Sequence, residues 1–142
     1  MTPEIRPARA CDVEAICRLD HVARTDDGGR RRFLARAVAA EECYVLVHGG
    51  AVAAYSVLDY SFYGCGFVAL LYADAGRRRH AYGTLLMRHM ESVCRTPKLF
   101  TSTNLSNLAM QSLLAKLGYA LSGVIHNLDE GDPELVYYKC LR

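Results

Sequence analysis

The sequence predicts an α+β protein with a mixed, mostly antiparallel sheet of about six or seven strands and helices on both faces. Its 142 residues fit a single domain over residues 1–142 and leave little room for a second. Hydrophobic residues make up 51% and charged residues 23%, a balance that excludes a disordered chain. Short β-rich runs bounded by glycines alternate with stretches whose apolar residues recur at helical spacing. This alternation predicts the order β-α-α-β-β-β-α-β-α-β-β.

The first third of the chain is predicted to hold one strand and two helices. Glu4–Arg9 is the strand, and Asp12 begins the first helix, because aspartate is favoured at helix starts. The cluster Asp26–Gly29 breaks the chain. Between Phe33 and Val38 the apolar residues again repeat at helical spacing, which predicts the second helix.

Three neighbouring strands follow in the prediction. Cys43–His48 is a short β-rich run, and the pair Gly49-Gly50 is typical of a tight hairpin turn. Ala51–Tyr60 and Phe67–Ala73 are the next two strands, separated around Gly64. The sequence therefore indicates an antiparallel meander.

The second half returns to helices between strands. A helix from Arg79 carries one apolar stripe and stops before Pro97, and a later helix ends at Gly118, a favoured residue at helix C-termini. The strands of this half are Lys98–Thr103, Tyr119–Asn127 and Glu134–Leu141.

Charge and cysteine usage exclude several classes of protein. The formal net charge of +2 argues against a nucleic-acid partner, and the run Arg30–Arg32 is interpreted as a solvated helix face. The six cysteines form no C-x-x-C pair, so we expect neither a zinc ribbon nor a redox motif, and no metal. The N-terminus lacks a signal-peptide pattern, and no window reaches the ~18 apolar residues of a membrane span. We expect a cytoplasmic protein without a membrane partner.

The segment Arg77–Tyr82 joins an apolar strand to an amphipathic helix. A helix N-terminus offers unpaired N–H groups and the positive end of the helix dipole, which suits a phosphate. Arginine side chains match phosphate geometry, and small residues at Ala81 and Gly83 let a ligand approach the backbone. The loop alone is equally compatible with solvated arginines.

Two motifs resemble those of the GNAT superfamily of N-acyltransferases. Arg78-Arg79-His80-Ala81-Tyr82-Gly83 lies on the family signature Q/R-x-x-G-x-G/A, with Ala81 in place of the first glycine. The segment from Asn107 to Gly118-Tyr119 is similar to a second family motif, N-x-x-A-x-x-x-Y-x-x-x-G-F. Alanine at position 81 is harmless if that residue is already helical, and weakens phosphate binding if the turn needs a positive φ.

The resemblance implies a GNAT-type N-acetyltransferase that moves an acetyl group from acetyl-CoA to a primary amine within a ternary complex. The acceptor is a small molecule or a protein. In this family the pantetheine arm pairs with the backbone of the third meander strand, and its phosphates lie on the signature loop. The implied acetyl-CoA contacts are Leu71, Tyr72, Ala73, Arg78, Arg79, His80, Ala81, Tyr82, Gly83, Thr84 and Asn107. For Asn107, helix capping is an equal alternative.

The usual catalytic side chains of the family are absent. Its tyrosine acid corresponds to Leu114, and its glutamate base falls in the apolar stretch around Ala69. Tyr72 is the candidate proton donor, while Asp59 and Tyr60 are candidates for handling the proton of the amine. His21 is a further candidate base.

Two other functions stay open at this stage. The missing acid and base favour a CoA-binding module with little catalysis, whereas small size and the arginine run suggest a toxin-type acyltransferase acting on aminoacyl-tRNA. The acidic turn Asp129–Asp132 is either a solvated turn or an attractor for a cationic amine. A homodimer formed through a sheet edge is also left open.

Overall fold

A computed structural model describes residues 2–74 and 81–142, without the side chain of Ala81. Five α-helices, one short 3-10 helix (Ala10–Asp12) and seven strands are observed among the described residues. The helices are α1 (Val13–Leu19), α2 (His21–Thr25), α3 (Gly29–Ala39), α4 (Ala81–Val93) and α5 (Leu108–Lys116). The strands are β1 (Glu4–Pro7), β2 (Cys43–His48), β3 (Ala51–Phe62), β4 (Cys65–Ala73), β5 (Lys98–Asn104), β6 (Ala120–Ile125) and β7 (Glu134–Cys140).

The strands form one mixed sheet in the order β1-β2-β3-β4-β5-β7-β6. The pair of β4 and β5 is parallel, and the pairs β1–β2, β2–β3, β5–β7 and β6–β7 are antiparallel. The predicted fold class is therefore confirmed. By backbone proximity the chain divides into a first unit, residues 1–58 and 70–89, and a second unit, residues 59–69 and 90–142. One domain over residues 1–142 stays a prediction.

The element order agrees with the prediction except for two additional short helices, the 3-10 helix Ala10–Asp12 and α2. The longer of the two is α2. Its five residues have too little apolar periodicity to be recognised in the sequence. The helix forms because the Asp20 carboxylate accepts the backbone N–H groups of Val22 and Ala23, which are donors that a helix start leaves unpaired. The Gly49-Gly50 turn was predicted correctly, since both residues have positive φ values, 64° and 78°.

In the first unit the alternation of side chains along β2 separates two faces. Tyr44 and His48 contact α4, through ring contacts with His89 and Tyr82 respectively. Leu46, on the same face, joins a buried cluster with Tyr82 and two alanines of β3. The intervening residues, including the fully buried Val45, point to the opposite face, because successive strand residues alternate.

The second unit is built on β5, β7 and β6. Thr101 is buried on β5, and its hydroxyl donates to the carbonyl of Val68 on β4 at 2.9 Å. The parallel register pairs Gly66 with Leu99 and Val68 with Thr101. In addition to this strand pairing, the Gly66 N–H donates to the hydroxyl oxygen of Thr96 at 2.9 Å.

Replacing Gly66 by alanine is expected to lower the free energy of unfolding by about 1–3 kcal/mol, the usual cost of overpacking. An added Cβ atom would lie 2.4 Å from the buried Cys94 sulfur, so neighbouring groups must move. Gly123→Ala is the matched control, since its Cβ would meet nothing within 4 Å. Urea unfolding measures both; equal midpoints for the two variants would contradict this packing.

Candidate active site

The end of β4 places neighbouring side chains on opposite faces of the first unit. Leu71 and Ala73 are half-buried and pack against the cluster that contains Tyr82 of α4. Tyr72 points to the other face, where its ring centroid lies 5.7 Å from that of Tyr55 on β3. Just after this strand, the Asp74 N–H donates to the Ala53 carbonyl of β3 at 2.8 Å.

Tyr72 borders a buried polar cluster centred on Asp20. The Asp20 side chain has no exposed surface, and Arg30 lies beside it with an Nη1–Oδ2 distance of 2.6 Å. The Tyr55 hydroxyl donates to the same carboxylate oxygen. Burial raises the pKa of Tyr55 above its ordinary value, and the hydrogen bond to Asp20 raises it further. Tyr55 therefore stays protonated, and its hydroxyl donates a hydrogen bond to Asp20.

Arg30 connects this cluster to Tyr72. Its Cζ atom lies 5.9 Å from the centroid of the Tyr72 ring, so the guanidinium contacts the face of that ring. Burial lowers the pKa of Arg30, but Asp20 and the two tyrosines outweigh it and raise that pKa above its ordinary value. The interpretation of Arg30–Arg32 as a solvated face is therefore wrong for Arg30. It fits Arg31, whose partner Glu14 is exposed.

The predicted phosphate loop lies partly beyond what the structure describes. Arg78, Arg79 and His80 are outside the described residues, and the same holds for Arg77. Ala81 is the first residue of α4, so its backbone is helical and the loss of glycine is tolerated there.

The next residues of α4 differ in exposure. Tyr82 is buried, and its hydroxyl lies 2.5 Å from Nδ1 of His48. Gly83 and Thr84 are half-buried. The Tyr82 side chain therefore packs in the core of the first unit, and at this residue a ligand contact through the backbone stays a prediction.

Asn107 caps α5 in the second unit. Its side-chain oxygen accepts the N–H of Met110 at 3.1 Å, and the residue is exposed. The capping alternative is thereby observed, while contact with acetyl-CoA stays a prediction. The preceding loop is held by the acidic turn, since Asp132 accepts the hydroxyl and the N–H of Ser106 at 2.6 and 3.0 Å. This carboxylate is engaged within the protein.

Asp59 and Tyr60 lie at the end of β3, in the second unit. Asp59 accepts both the N–H and the hydroxyl of Ser61, at 3.1 and 2.8 Å. The Tyr60 oxygen accepts the Arg95 N–H at 3.0 Å, and the Arg95 guanidinium lies 4.1 Å from the ring centroid. Both residues have local structural partners, and their catalytic roles stay predictions.

Two residues of the second family motif are part of the core. Leu114 is fully buried, so the position of the usual acid is occupied by packing. Tyr119 is also buried, and its hydroxyl donates to Glu91, which Lys139 also contacts. Tyr119, the last residue of that motif, therefore packs in the core of the second unit.

Sequence reasoning missed Asp20 and Tyr55, and it misjudged Arg30. The aspartate before a helix start was a recognisable capping signal, but its ion pair with Arg30 and its bond to Tyr55 were not. His21, the neighbouring candidate base, is exposed and its carbonyl accepts the Thr25 hydroxyl.

An open cavity of about 700 Å³ lies in the first unit between the β1–α1 connection and α3, and none of the predicted site residues lines it. Over residues 2–74 and 81–142 no group of three His, Cys, Asp or Glu side chains could hold a metal ion. No helix in the described ranges is long and apolar enough to span a bilayer.

Comparison with known proteins gives a family match over most of the chain. The model of the acetyltransferase (GNAT) family matches residues 12–119. Among curated proteins, none matches the chain significantly. The family segment contains β4, α4 and α5, which are the elements that carry the two motifs.

Solved structures agree with this match. A GNAT-family acetyltransferase from Bacillus cereus is 28% identical, with a TM-score of 0.91 over 99% of this chain and 98% of that one. Ard1 from Thermoplasma volcanium is 18% identical, with a TM-score of 0.83 over 99% and 98%. The putative acetyltransferase yncA from Salmonella typhimurium, solved with its cofactor acetyl-CoA, is 16% identical, with a TM-score of 0.79 over 100% and 95%. The last two similarities show the fold alone.

Proposed function

Because the chain belongs to the acetyltransferase (GNAT) family and is an acyltransferase, we propose that it moves an acetyl group from acetyl-CoA to a primary amine by direct transfer in a ternary complex. The observation that supports this most is the order of strand, arginine-rich segment and helix. β4 ends at Ala73 and α4 begins at Ala81, with Arg77, Arg78 and Arg79 between them. Helix-start N–H groups and guanidinium groups suit the phosphates of CoA.

The backbone of Leu71, Tyr72 and Ala73 is proposed to pair with the pantetheine amides. Extended backbone that offers N–H and C=O groups binds an extended ligand in the manner of an added strand. Leu71 and Ala73 direct their side chains into the core cluster of the first unit, which leaves the backbone groups as the ligand contacts. Asn107 is proposed as a further acetyl-CoA contact, in addition to its capping role.

The transfer forms one bond and breaks one. The neutral amine nitrogen attacks the thioester carbonyl carbon, the C–N bond forms, and the C–S bond breaks. The nitrogen loses one proton, and the leaving sulfur takes up one. We assign the Tyr72 hydroxyl as the donor of the proton that the sulfur takes up. The proton released by the amine then restores the hydroxyl. Positioning of the two reactants supplies much of the rate acceleration. No strong acid is required, because the CoA thiolate can leave without one.

Asp59 and Tyr60 stay proposals for the proton of the amine. Tyr60 is also the alternative donor, since its oxygen accepts a hydrogen bond and its own hydrogen is not used in that bond. Comparing Tyr72→Phe with Tyr60→Phe assigns the donor, because kcat falls only in the variant that lacks the hydroxyl of the true donor.

Free-thiol release tests this function. Acetyl-CoA is offered with a polyamine, a free amino acid, an aminoglycoside and a peptide with a free α-amine. The proposal predicts CoA release that depends on one of these amines and saturates with it. Tight acetyl-CoA binding in calorimetry without such release would instead favour the second candidate, a CoA-binding module. That candidate is favoured by the buried Leu114 at the usual acid position.

The aminoacyl-tRNA alternative is weakened by the arginine run itself. Arg30 is paired with Asp20 and Arg31 with Glu14, so much of the positive charge that would meet RNA phosphates is already neutralised. Salt-sensitive retention of tRNA would be needed to support it.

A further inference from the structure

Asp20 is a buried carboxylate whose capacity to accept hydrogen bonds is filled. Its Oδ1 atom accepts the N–H groups of Val22 and Ala23 at 2.9 and 3.3 Å. Its Oδ2 atom accepts from the Tyr55 hydroxyl and from Arg30. An ionised carboxylate has about four acceptor positions, so Asp20 has none left for a further donor.

Arg30 is held in place by this carboxylate and extends toward Tyr72. Its side chain is only 20% exposed, and the 2.6 Å ion pair fixes one end of the guanidinium. A guanidinium group has five N–H donors and no acceptor. The Arg30 Cζ atom lies 5.9 Å from the centroid of the Tyr72 ring, so the guanidinium holds that ring by a contact with its face and cannot accept the hydrogen of its hydroxyl.

The consequence for Tyr72 differs from that for Tyr55. The Tyr55 hydroxyl donates its hydrogen to Asp20. Tyr72 cannot give its hydrogen to Arg30, which accepts none, or to Asp20, whose acceptor positions are occupied. Tyr72 is half-buried, so its hydroxyl hydrogen remains available to an acceptor outside the cluster.

We propose that Arg30, anchored on Asp20, is a positioning residue that fixes the Tyr72 ring, so that the Tyr72 hydroxyl acts as a hydrogen-bond donor toward the acetyl-transfer centre. This inference rests on the proposed function. In the transfer, the Tyr72 hydrogen goes to the CoA sulfur as the C–S bond breaks, and the proton lost by the amine nitrogen restores the phenol. Arg30 keeps all its protons and acts only through Tyr72.

A double-mutant cycle in steady-state kinetics tests this coupling. Wild type is assayed first with the amine that gives the fastest thiol release, and then Tyr72→Phe, Arg30→Met and the double variant are compared. Each single variant is expected to lower kcat by about tenfold to a hundredfold, at the low end of proton-transfer effects because the CoA thiolate leaves without a strong acid. The double variant is expected to be no slower than Tyr72→Phe. KM for acetyl-CoA should change less than kcat.

Arg31→Met is the matched control, since Arg31 neighbours Arg30 on α3 but forms an exposed pair with Glu14. It should leave kcat unchanged. Arg30→Lys keeps a charge beside Asp20 and serves as the second variant should Arg30→Met fail to fold. A lysine lacks the fork that reaches two partners, so it too should lower kcat.

Tyrosine labelled with ¹³C at Cζ gives a readout that does not need turnover. The Tyr72 resonance, assigned by its absence in Tyr72→Phe, is expected to shift in Arg30→Met and not in Arg31→Met. An unshifted resonance, an unchanged kcat in Arg30→Met, or multiplying losses in the double variant would each overturn the inference while leaving acetyl transfer intact. Absence of turnover in wild type would instead overturn the proposed function, and the inference with it.

Discussion

Replacing Asp20 by alanine is expected to lower the free energy of unfolding by about 3–5 kcal/mol, the usual result of breaking a buried charge pair from one side. The substitution leaves the Arg30 guanidinium and the Tyr55 hydroxyl beside an apolar methyl group. It also removes the N-terminal cap of α2, whose two N–H groups then lack their acceptor. The loss should appear in urea unfolding followed by circular dichroism.

Glu14→Ala is the control for this experiment, because Glu14 also pairs with an arginine of α3 but is exposed to solvent. Solvent screens such a pair, so its removal should leave the unfolding midpoint nearly unchanged. If the two variants lost similar stability, or if Asp20→Ala lost less than about 1 kcal/mol, the buried cluster would not have the energetic role assigned to it.

Replacing Arg78 by glutamate is expected to raise the dissociation constant of acetyl-CoA at least tenfold, which corresponds to about 1.4 kcal/mol. Arg78 lies outside the described residues, and the expectation rests on its place in the sequence just before α4. An arginine there adds charge-assisted hydrogen bonds to phosphate. A glutamate replaces that attraction by repulsion. Isothermal titration calorimetry at fixed salt measures the change.

Arg36→Glu controls for the change in net charge, since Arg36 is an exposed residue of α3 and no part of the proposed binding segment. The acetyl-CoA dissociation constant of this variant should stay within about twofold of wild type, because salt in the buffer screens an exposed charge. An unchanged titration for Arg78→Glu would remove the phosphate-binding assignment from this loop.

Most of the fold was predictable because local signals determine its elements. The Gly49-Gly50 turn needs positive φ at both residues, and few other pairs supply it. Helix ends were recognisable from Asn107 as a cap and from Gly118, which has a φ of 91°. α2 was missed because its stability comes from the Asp20 side chain and not from apolar spacing.

The candidate site was predictable only where a motif is contiguous in the sequence. Tyr72 was named from its place on the third meander strand, but its partners were not. Asp20 and Tyr55 are 35 positions apart, and Asp20 and Arg30 are ten apart across a helix and a break. No periodicity links such residues, and the arginine run looked like ordinary surface charge. The sheet and the helix packing bring them together.

The most direct test of the central claim is to follow an isotopically labelled acetyl group from acetyl-CoA by mass spectrometry. We expect the label to appear on an amine of the panel, in amounts equal to the CoA released. Equal amounts exclude simple hydrolysis of the thioester, which would place the label in acetate. Labelled acetate alone, or no consumption of acetyl-CoA with any amine, would contradict acetyl transfer to an amine.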